Sequence, residues 1–475
     1  MESSKRALRA CEACKRRKVK CNGNRERCQQ CSHLNLHCIY TAPKTPRAPV
    51  RCSRNGVIEK YKQEVGQSRV ACNDRRPVLP RPEPETQYND YFFLGLVPSY
   101  EKAVYISHPI VNSAELRNCI YRMGDDQEAK AFVFASAAIT LTLSTVDNQW
   151  TPNLVERIRD LAYSAITLLG PIRINANVTV LTVLTSLFIH NCLFPLGHPS
   201  SAFLYLRQAT SMIEVLRVGE GHASAHLSTE NYQQRLRLYW LLFIQERFVA
   251  ISERQSTSLF PISELPQRVS GMPYETHRYF LRLIELFKLI DKTFIQHWVE
   301  QNHSTVRDTG LSSAWVMEKC RELLLDSEVA EMDFQSLNTM QQADLTITRH
   351  WLVIHVWRIA MSNGLLETFA TDDCLSLLFP IQLSNRLRRE VSNCPIESIA
   401  IHGHGIVKKL FQLSDTVADV ILRIPAFSVE DSFNRLDDLI FLLKLTFGLP
   451  NLEARQKEVL GEKLEKLQQL SAGGL

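Results

Sequence analysis

Several common catalytic signatures are missing from these 475 residues. There is no glycine-rich phosphate loop, no GxSxG elbow, no HExxH helix and no dinucleotide fingerprint, which removes four familiar routes to an enzyme. Cysteine is not enriched overall, and the segment Met1-Glu2-Ser3-Ser4-Lys5-Arg6 lacks the apolar core of a secretory signal. The expected setting is therefore a reducing, intracellular compartment, where disulfides are rare. Strand-type alternation is scarce. Charge is absent from residues 174–206, long enough to raise the question of a membrane span. Asn177, Thr179, Thr182, Thr185, Ser186, His190 and Asn191 interrupt that stretch and Pro195 closes it, so a helix buried inside a soluble bundle is expected and no membrane.

What the chain does contain is concentrated at its start. Residues 11–38 read CEACKRRKVKCNGNRERCQQCSHLNLHC, in which C-x2-C-x6-C is written twice, seventeen positions apart. Two tetrahedral zinc ions need eight ligand positions, and six thiolates supply them only if two sulfurs are shared. One shared sulfur from each copy preserves the symmetry of the repeat. Two zinc ions with six thiolates carry a net charge of −2, which makes a basic neighbourhood tolerable beside the metal. A disulfide framework is the competing reading, and the reducing compartment weighs against it. Between Cys14 and Cys21 lies KRRKVK, five basic residues in six, whereas SHLNLH between Cys31 and Cys38 has no Lys or Arg. A basic run pinned at both ends by metal ligands suits a phosphate backbone, and Lys or Arg can read guanine O6 and N7. The competing reading is a nuclear-import signal or a solvated charge run.

This pattern resembles the binuclear zinc cluster (Zn2Cys6) of fungal transcription factors. The resemblance implies that Cys11 and Cys28 bridge the metals. One ion would take Cys11, Cys14, Cys21 and Cys28, and the other Cys28, Cys31, Cys38 and Cys11. It also implies that Lys18 reads a CGG triplet in the major groove, while Lys15, Arg16, Arg17 and Lys20 contact or lie near phosphate. Many members carry proline two positions before the fourth cysteine; this chain has Glu26. That departure touches the loop between the halves and leaves the ligand count intact. Double-stranded DNA with CGG-like half-sites, a homodimer, and transcription machinery or co-regulators are the partners implied, in the nucleus, and the family leans towards pathway-specific activation. A zinc knuckle binding RNA or protein is the alternative.

Charge divides the chain in the same sense. Residues 1–76 hold 19 Lys and Arg against 6 Asp and Glu, a net +13, which leaves 36 against 44 and a net −8 for the rest. A basic head on a mildly acidic body fits a DNA-binding module joined to a regulatory one. The expected organisation is a basic arm over 1–10, the cluster over 11–38, a linker over 39–90, and a large all-α regulatory domain over 91–475. Prolines 43, 46 and 49 and the stretch 73–90 mark the linker, with a short apolar stripe over 57–65 that is too brief for a coiled coil. Helical periodicity predicts helices over 126–144, 153–169, 178–193, 200–217, 232–253, 277–298, 312–325, 341–363, 398–420, 429–447 and 452–470.

Two body segments resemble the middle homology region of the same regulators. One is 200–218, with Arg207-Gln208-Ala209 at its centre; the other is 235–258, with Arg235, Arg237, Trp240, Glu246, Arg247 and Arg254. Glu246 and Arg247 are expected on the rim as an ordinary ion-pairing couple. Helical bundles often enclose pockets, so ligand sensing is open, although no residue identifies a ligand. His402 and His404 suggest metal, but two positions apart on one helix they would diverge, so an exposed or capped pair is expected. The acidic–apolar mixture at 429–433 and 436–441 reads as an amphipathic core helix in preference to an activation segment. Cys52, Cys72, Cys119, Cys192, Cys320, Cys374 and Cys394 show no ligand spacing.

Overall fold

The computed structural model describes residues 10–11, 13–14, 19–24, 27–34, 38, 88–144, 150–171, 177–220, 227–300, 311–324, 334–367, 373–426 and 428–473. The chain divides into two compact units, Met1–Arg81 and Pro82–Leu475. In the first, the short helix α1 (Gln29–His33) follows Cys28, which caps it by accepting from Cys31 N. The expected linker stripe over 57–65 lies outside the described residues.

Helices build the second unit, and among its described residues only one isolated bridge, Glu367 to Ser376, departs from them. Its helices in order are α2 (Asp90–Tyr100), α3 (Ser113–Arg122), α4 (Gln127–Leu143), α5 (Pro152–Leu169), α6 (Val180–Leu193), α7 (Pro199–Val215), α8 (Thr229–Glu253), α9 (Tyr274–Lys288), α10 (Lys292–Glu300), α11 (Ser313–Leu324), α12 (Thr339–Ser362), α13 (Phe379–Val391), α14 (Ile396–Ala400), α15 (Gly403–Arg423), α16 (Val429–Phe447) and α17 (Ala454–Gly473). A π-helical turn, Glu101–Tyr105, continues α2. Local chemistry sets many of the boundaries. Asp126 caps α4 through Glu128 N and Ala129 N, Thr151 precedes Pro152 in α5, and Thr179/Thr182 and Asn338/Gln341 form reciprocal capping boxes on α6 and α12. Gly170, at φ 61, ends α5.

Two predicted helices are each two. The periodicity over 277–298 is broken between α9 and α10, where Asp291 turns the chain and accepts from Phe294 N at 2.8 Å. The span 398–420 is broken at Gly403, whose φ of 62 no continuing helix adopts. Helices α2, α3 and α13 were not expected. Helix α2 carries Gly95 and Pro98, which hide its period, but α3 has a capping box of Asn112 and Glu115 that the sequence spells out.

Helices α4 to α7 pack on one another and α11 to α17 form a second group; α8 lies between, touching α6, α7, α9 and α10, while α9 and α10 reach α12. Both α8 and α12 are buried for most of their length, as with Trp240, Leu242 and Phe243 in one and Trp351, Leu352, Val353 and Ile354 in the other. Helix α6 is a buried bundle helix, and no helix among the described residues is long and apolar enough to cross a membrane.

Polar groups on such central helices must find partners. Glu246 and Arg247 are not on the rim; both are buried, and neither pairs with the other. Adjacent residues on a helix point about 100° apart, so each reaches a different neighbour. Glu246 accepts from Arg207 Nη1 at 2.6 Å, Ser258 N at 2.8 Å, Ser258 Oγ at 2.9 Å and Leu259 N at 2.9 Å. Arg207 also bonds Ser256 O. The two family-like segments therefore meet at one carboxylate, which ties α7 and the 254–259 loop to α8. Arg247 instead donates to Ile290 O and Leu259 O beneath the Phe243 ring. Arg237 donates to Pro109 O at 2.8 Å and the Trp240 indole to Glu264 O at 2.9 Å. Arg254 closes α8 in the left-handed region, φ 54, with its guanidinium over Trp298. In α16, Leu439, Leu442 and Leu443 are buried while Val429 and Phe433 are exposed, the amphipathic core helix expected there.

Candidate metal centre

The six head cysteines converge, and all are free thiols. Cys11, Cys14, Cys28 and Cys31 are fully buried; Cys21 and Cys38 are half-buried. Their sulfurs fall into two groups, Cys11, Cys14, Cys21 and Cys28, and Cys11, Cys28, Cys31 and Cys38, each with all members within 4.8 Å of one another. Cys11 and Cys28 belong to both.

The spacings separate the two readings of these cysteines. Cys11 Sγ lies 3.7 Å from Cys28 Sγ and 3.6 Å from Cys31 Sγ, and Cys14 Sγ lies 3.6 Å from Cys28 Sγ. A disulfide needs about 2.05 Å. Tetrahedral zinc with Zn–S near 2.3 Å places its sulfurs about 3.8 Å apart. The donor set fits the metal and excludes these bridges.

The backbone is arranged for thiolates as well. Cys31 N donates to Cys28 Sγ at 3.3 Å and Cys28 N to Cys38 Sγ at 3.2 Å. Burial first, then the sulfurs of Cys28, Cys11 and Cys21, push the Cys14 thiol up to about 12, and burial with the sulfurs of Cys28, Cys11 and Cys38 raises Cys31. Only a bound cation makes so many thiolates tolerable together, so metal binding here is coupled to proton release. Asn22 accepts from Gln29 N at 3.0 Å, and Gly23, at φ 70, turns the chain between the two repeats.

Residues 9–47 match the fungal Zn(2)-Cys(6) binuclear cluster domain. The head is therefore a fungal Zn(2)-Cys(6) binuclear cluster domain. Its two zinc ions are held by the six cysteines. Similarity to relatives extends well past the cluster. The chain is 24% identical to Probable sucrose utilization protein SUC1 of Candida albicans, across 93% of this chain and 87% of that protein. It is 22% identical to Maltose fermentation regulatory protein MAL13 of Saccharomyces cerevisiae, across 93% and 89%, and 22% identical to Maltose fermentation regulatory protein MAL63 of Saccharomyces cerevisiae, across 92% and 91%. MAL13 and MAL63 are both named as regulatory proteins.

Of the residues expected to meet DNA, Lys20 is exposed beside Cys21. Lys15, Arg16, Arg17 and Lys18 lie outside the described residues, as does Glu26. In the body, Cys119, Cys192, Cys320 and Cys374 are buried and Cys394 half-buried, and none belongs to a metal-capable group among the described residues. Cys52 and Cys72 lie outside them.

The histidine pair His402/His404 differs from expectation. Neither is exposed, because the positive φ at Gly403 breaks the helix that would have made them diverge. His402 Nε2 bonds Met340 O at 3.0 Å, and both rings line one cavity inside the body.

Proposed function

We propose that the chain binds DNA in the nucleus in a sequence-specific manner and controls RNA polymerase II transcription. In this reading Lys18 recognises CGG-type triplets, and Lys15, Arg16, Arg17 and Lys20 hold the phosphates. Cys11 and Cys28 bridge the two zinc ions. The observation that carries it is the pair of cysteine quartets sharing Cys11 and Cys28, with the five-in-six basic run strung between Cys14 and Cys21. A basic run flanked in sequence at both ends by metal ligands suits direct readout of base edges better than a free basic tail does.

The relatives' names, concerned with sucrose utilization and maltose fermentation, support genes of carbohydrate use as targets, and the resemblance of the cluster to fungal zinc-cluster factors implies a pathway-specific activator. Paired half-sites would be bound by a homodimer, and the body would meet transcription machinery or co-regulators.

The test is selection of bound duplexes from a random pool by the zinc-loaded full chain, at stated salt. Paired CGG triplets at one spacing are the expected outcome. A single triplet would remove the homodimer from the reading. No enriched sequence, with equal retention of RNA, would replace it by a zinc knuckle that binds RNA or protein.

A further inference from the structure

A cleft of about 1150 Å3 lies in the body between α11, α13 and the first half of α16. Small-molecule sites occupy roughly 300–1,000 Å3, so this one suits a segment of polypeptide better than a metabolite. Met317 and Leu324 of α11 and Ile381 of α13 are half-buried on its wall, and Phe379 and Leu383 are buried. Apolar surface therefore remains for an occupant to cover.

The charged side chains of the wall are four arginines and three acids, and their pairing is uneven. Arg435 pairs with Asp431 at 2.6 Å and donates from Nη1 to Ile424 O at 3.3 Å. Asp438 is held by Arg388 at 3.0 Å and by the Asn385 amide at 3.0 Å. Arg321 pairs with Glu318 at the surface. Arg386 and Arg389 are left over: both are exposed, and among the described residues neither side chain has an ion-pair or hydrogen-bond partner. Three positions apart on α13, they stand on one face, a turn from each other. Arg389 lies in the last turn, where a cation suits the helix dipole, but Arg386 lies a turn earlier and is not explained that way.

Two uncompensated cations beside an apolar wall match an occupant that carries acids and bulky apolar side chains together. A nucleic acid supplies negative charge but nothing to cover Met317, Leu324 and Ile381. Glu318 and Asp431 in the cleft, and the net −8 of residues 77–475, also oppose a phosphate backbone. A small anion leaves the apolar wall in water. A purely apolar segment removes Arg386 and Arg389 from water without giving them a partner, which is costly.

We propose that this cleft docks an acidic, apolar-rich peptide segment of a partner protein. Arg386 and Arg389 each hold a carboxylate of that segment, and its bulky side chains cover Met317, Leu324 and Ile381. Such docking is the body's contact with a co-regulator and rests on that reading of the chain. Selection of DNA by the head does not use the cleft, so either can fail without the other.

The experiment is selection of peptides from a random displayed library on the zinc-loaded full chain, with duplex DNA in excess to occupy the basic head. The enriched peptides should combine Asp or Glu with Leu, Ile, Met or Phe, and a fluorescein-labelled copy of one should bind with one-to-one stoichiometry. Arg386→Gln together with Arg389→Gln should weaken that binding at least roughly tenfold and leave the urea midpoint unchanged, because both side chains are exposed and unpaired. Arg455→Gln together with Lys457→Gln removes the same charge from exposed positions on α17 and should leave peptide binding unaltered. No enrichment of acidic peptides, no effect of the α13 arginines, or an equal loss from the α17 pair would overturn the assignment. A greater loss of duplex binding than of peptide binding in the α13 variant would give the cleft to nucleic acid instead. Peptide binding that appears only after Asp326→Asn, Glu328→Gln, Glu331→Gln and Asp333→Asn would give it to an acidic stretch of this chain.

Discussion

Replacing Glu246 by glutamine keeps its shape and removes one charge from a position where four donors converge. Three of them, Arg207 Nη1, Ser258 N and Ser258 Oγ, meet Oε1, and Leu259 N meets Oε2. A carboxamide has one acceptor oxygen, so whichever way it turns, its N–H2 group faces at least one backbone N–H. The loss comprises one charge-assisted bond, worth about 1.5–3 kcal/mol, and the ion pair with Arg207, whose partner is left behind. We expect about 3 kcal/mol in total, because Glu246 is 2% exposed but Arg207 is 25% exposed and recovers some hydration. All six tryptophans lie beyond residue 149, so tryptophan fluorescence during urea unfolding follows the body alone. With a urea dependence near 3 kcal/mol per molar, the midpoint should fall by about 1 M. Glu318→Gln is the control: its pair with Arg321 is more than half exposed on both sides, and about 0.5 kcal/mol or less is expected. Combining Glu246→Gln with Arg207→Met should cost clearly less than the sum of the two single changes, since both act on one contact. A loss at Glu246 no greater than at Glu318, or strict additivity with Arg207→Met, would refute the claim that this carboxylate fastens α7 and the 254–259 loop to α8.

The remaining predictions concern the metal, the DNA and pH. Cys28→Ala should remove both zinc ions whereas Cys21→Ala should remove one, as read by metal content after gel filtration; loss of a single ion from Cys28→Ala would disprove bridging. Lys18→Ala should weaken cognate duplex binding by about 1–3 kcal/mol and relax preference at one triplet position, whereas Lys20→Ala should weaken all duplexes alike and lower the salt slope by about one. Chelation of zinc should abolish binding to duplex DNA and leave the tryptophan-monitored unfolding of the body unchanged. His108, His190 and His404 titrate near 4 in the fold against roughly 6.5 when unfolded. The unfolded chain therefore binds more protons between those values, and stability present above pH 6.5 is lost as pH falls towards 4. Each histidine contributes roughly 1 kcal/mol per pH unit in that window, and urea midpoints at pH 7.5 and 5.5 that coincide would contradict it.

The head was legible because a ligand set is a count and a spacing. Six cysteines in two copies of C-x2-C-x6-C leave few ways to satisfy tetrahedral metal, and the sulfurs converge within 4.8 Å in the quartets that share Cys11 and Cys28. The helices of the body were legible where apolar period and capping agree, as in α4, α5 and α16. Helix α3 could have been found from Asn112 and Glu115; α9 and α10 could not have been separated, because Asp291 offers no proline or glycine to mark the break.

Sequence by itself determined the metal, the basic flank and the helical class of the body, since each follows from residue types at short range. Tertiary structure decided which polar groups meet. That Arg207 and not Arg247 neutralises Glu246, and that Lys409 neutralises Asp344 sixty-five positions away, depends on helices brought together by burial of apolar faces elsewhere in the chain. The same holds for His404, an unremarkable residue in an HGH run until Gly403 turns it into a cavity walled by four other helices. Hydrophobic burial is non-directional, so the sequence pattern sets how much apolar surface is covered, while the packed arrangement alone sets which hydrogen-bonding atoms face one another.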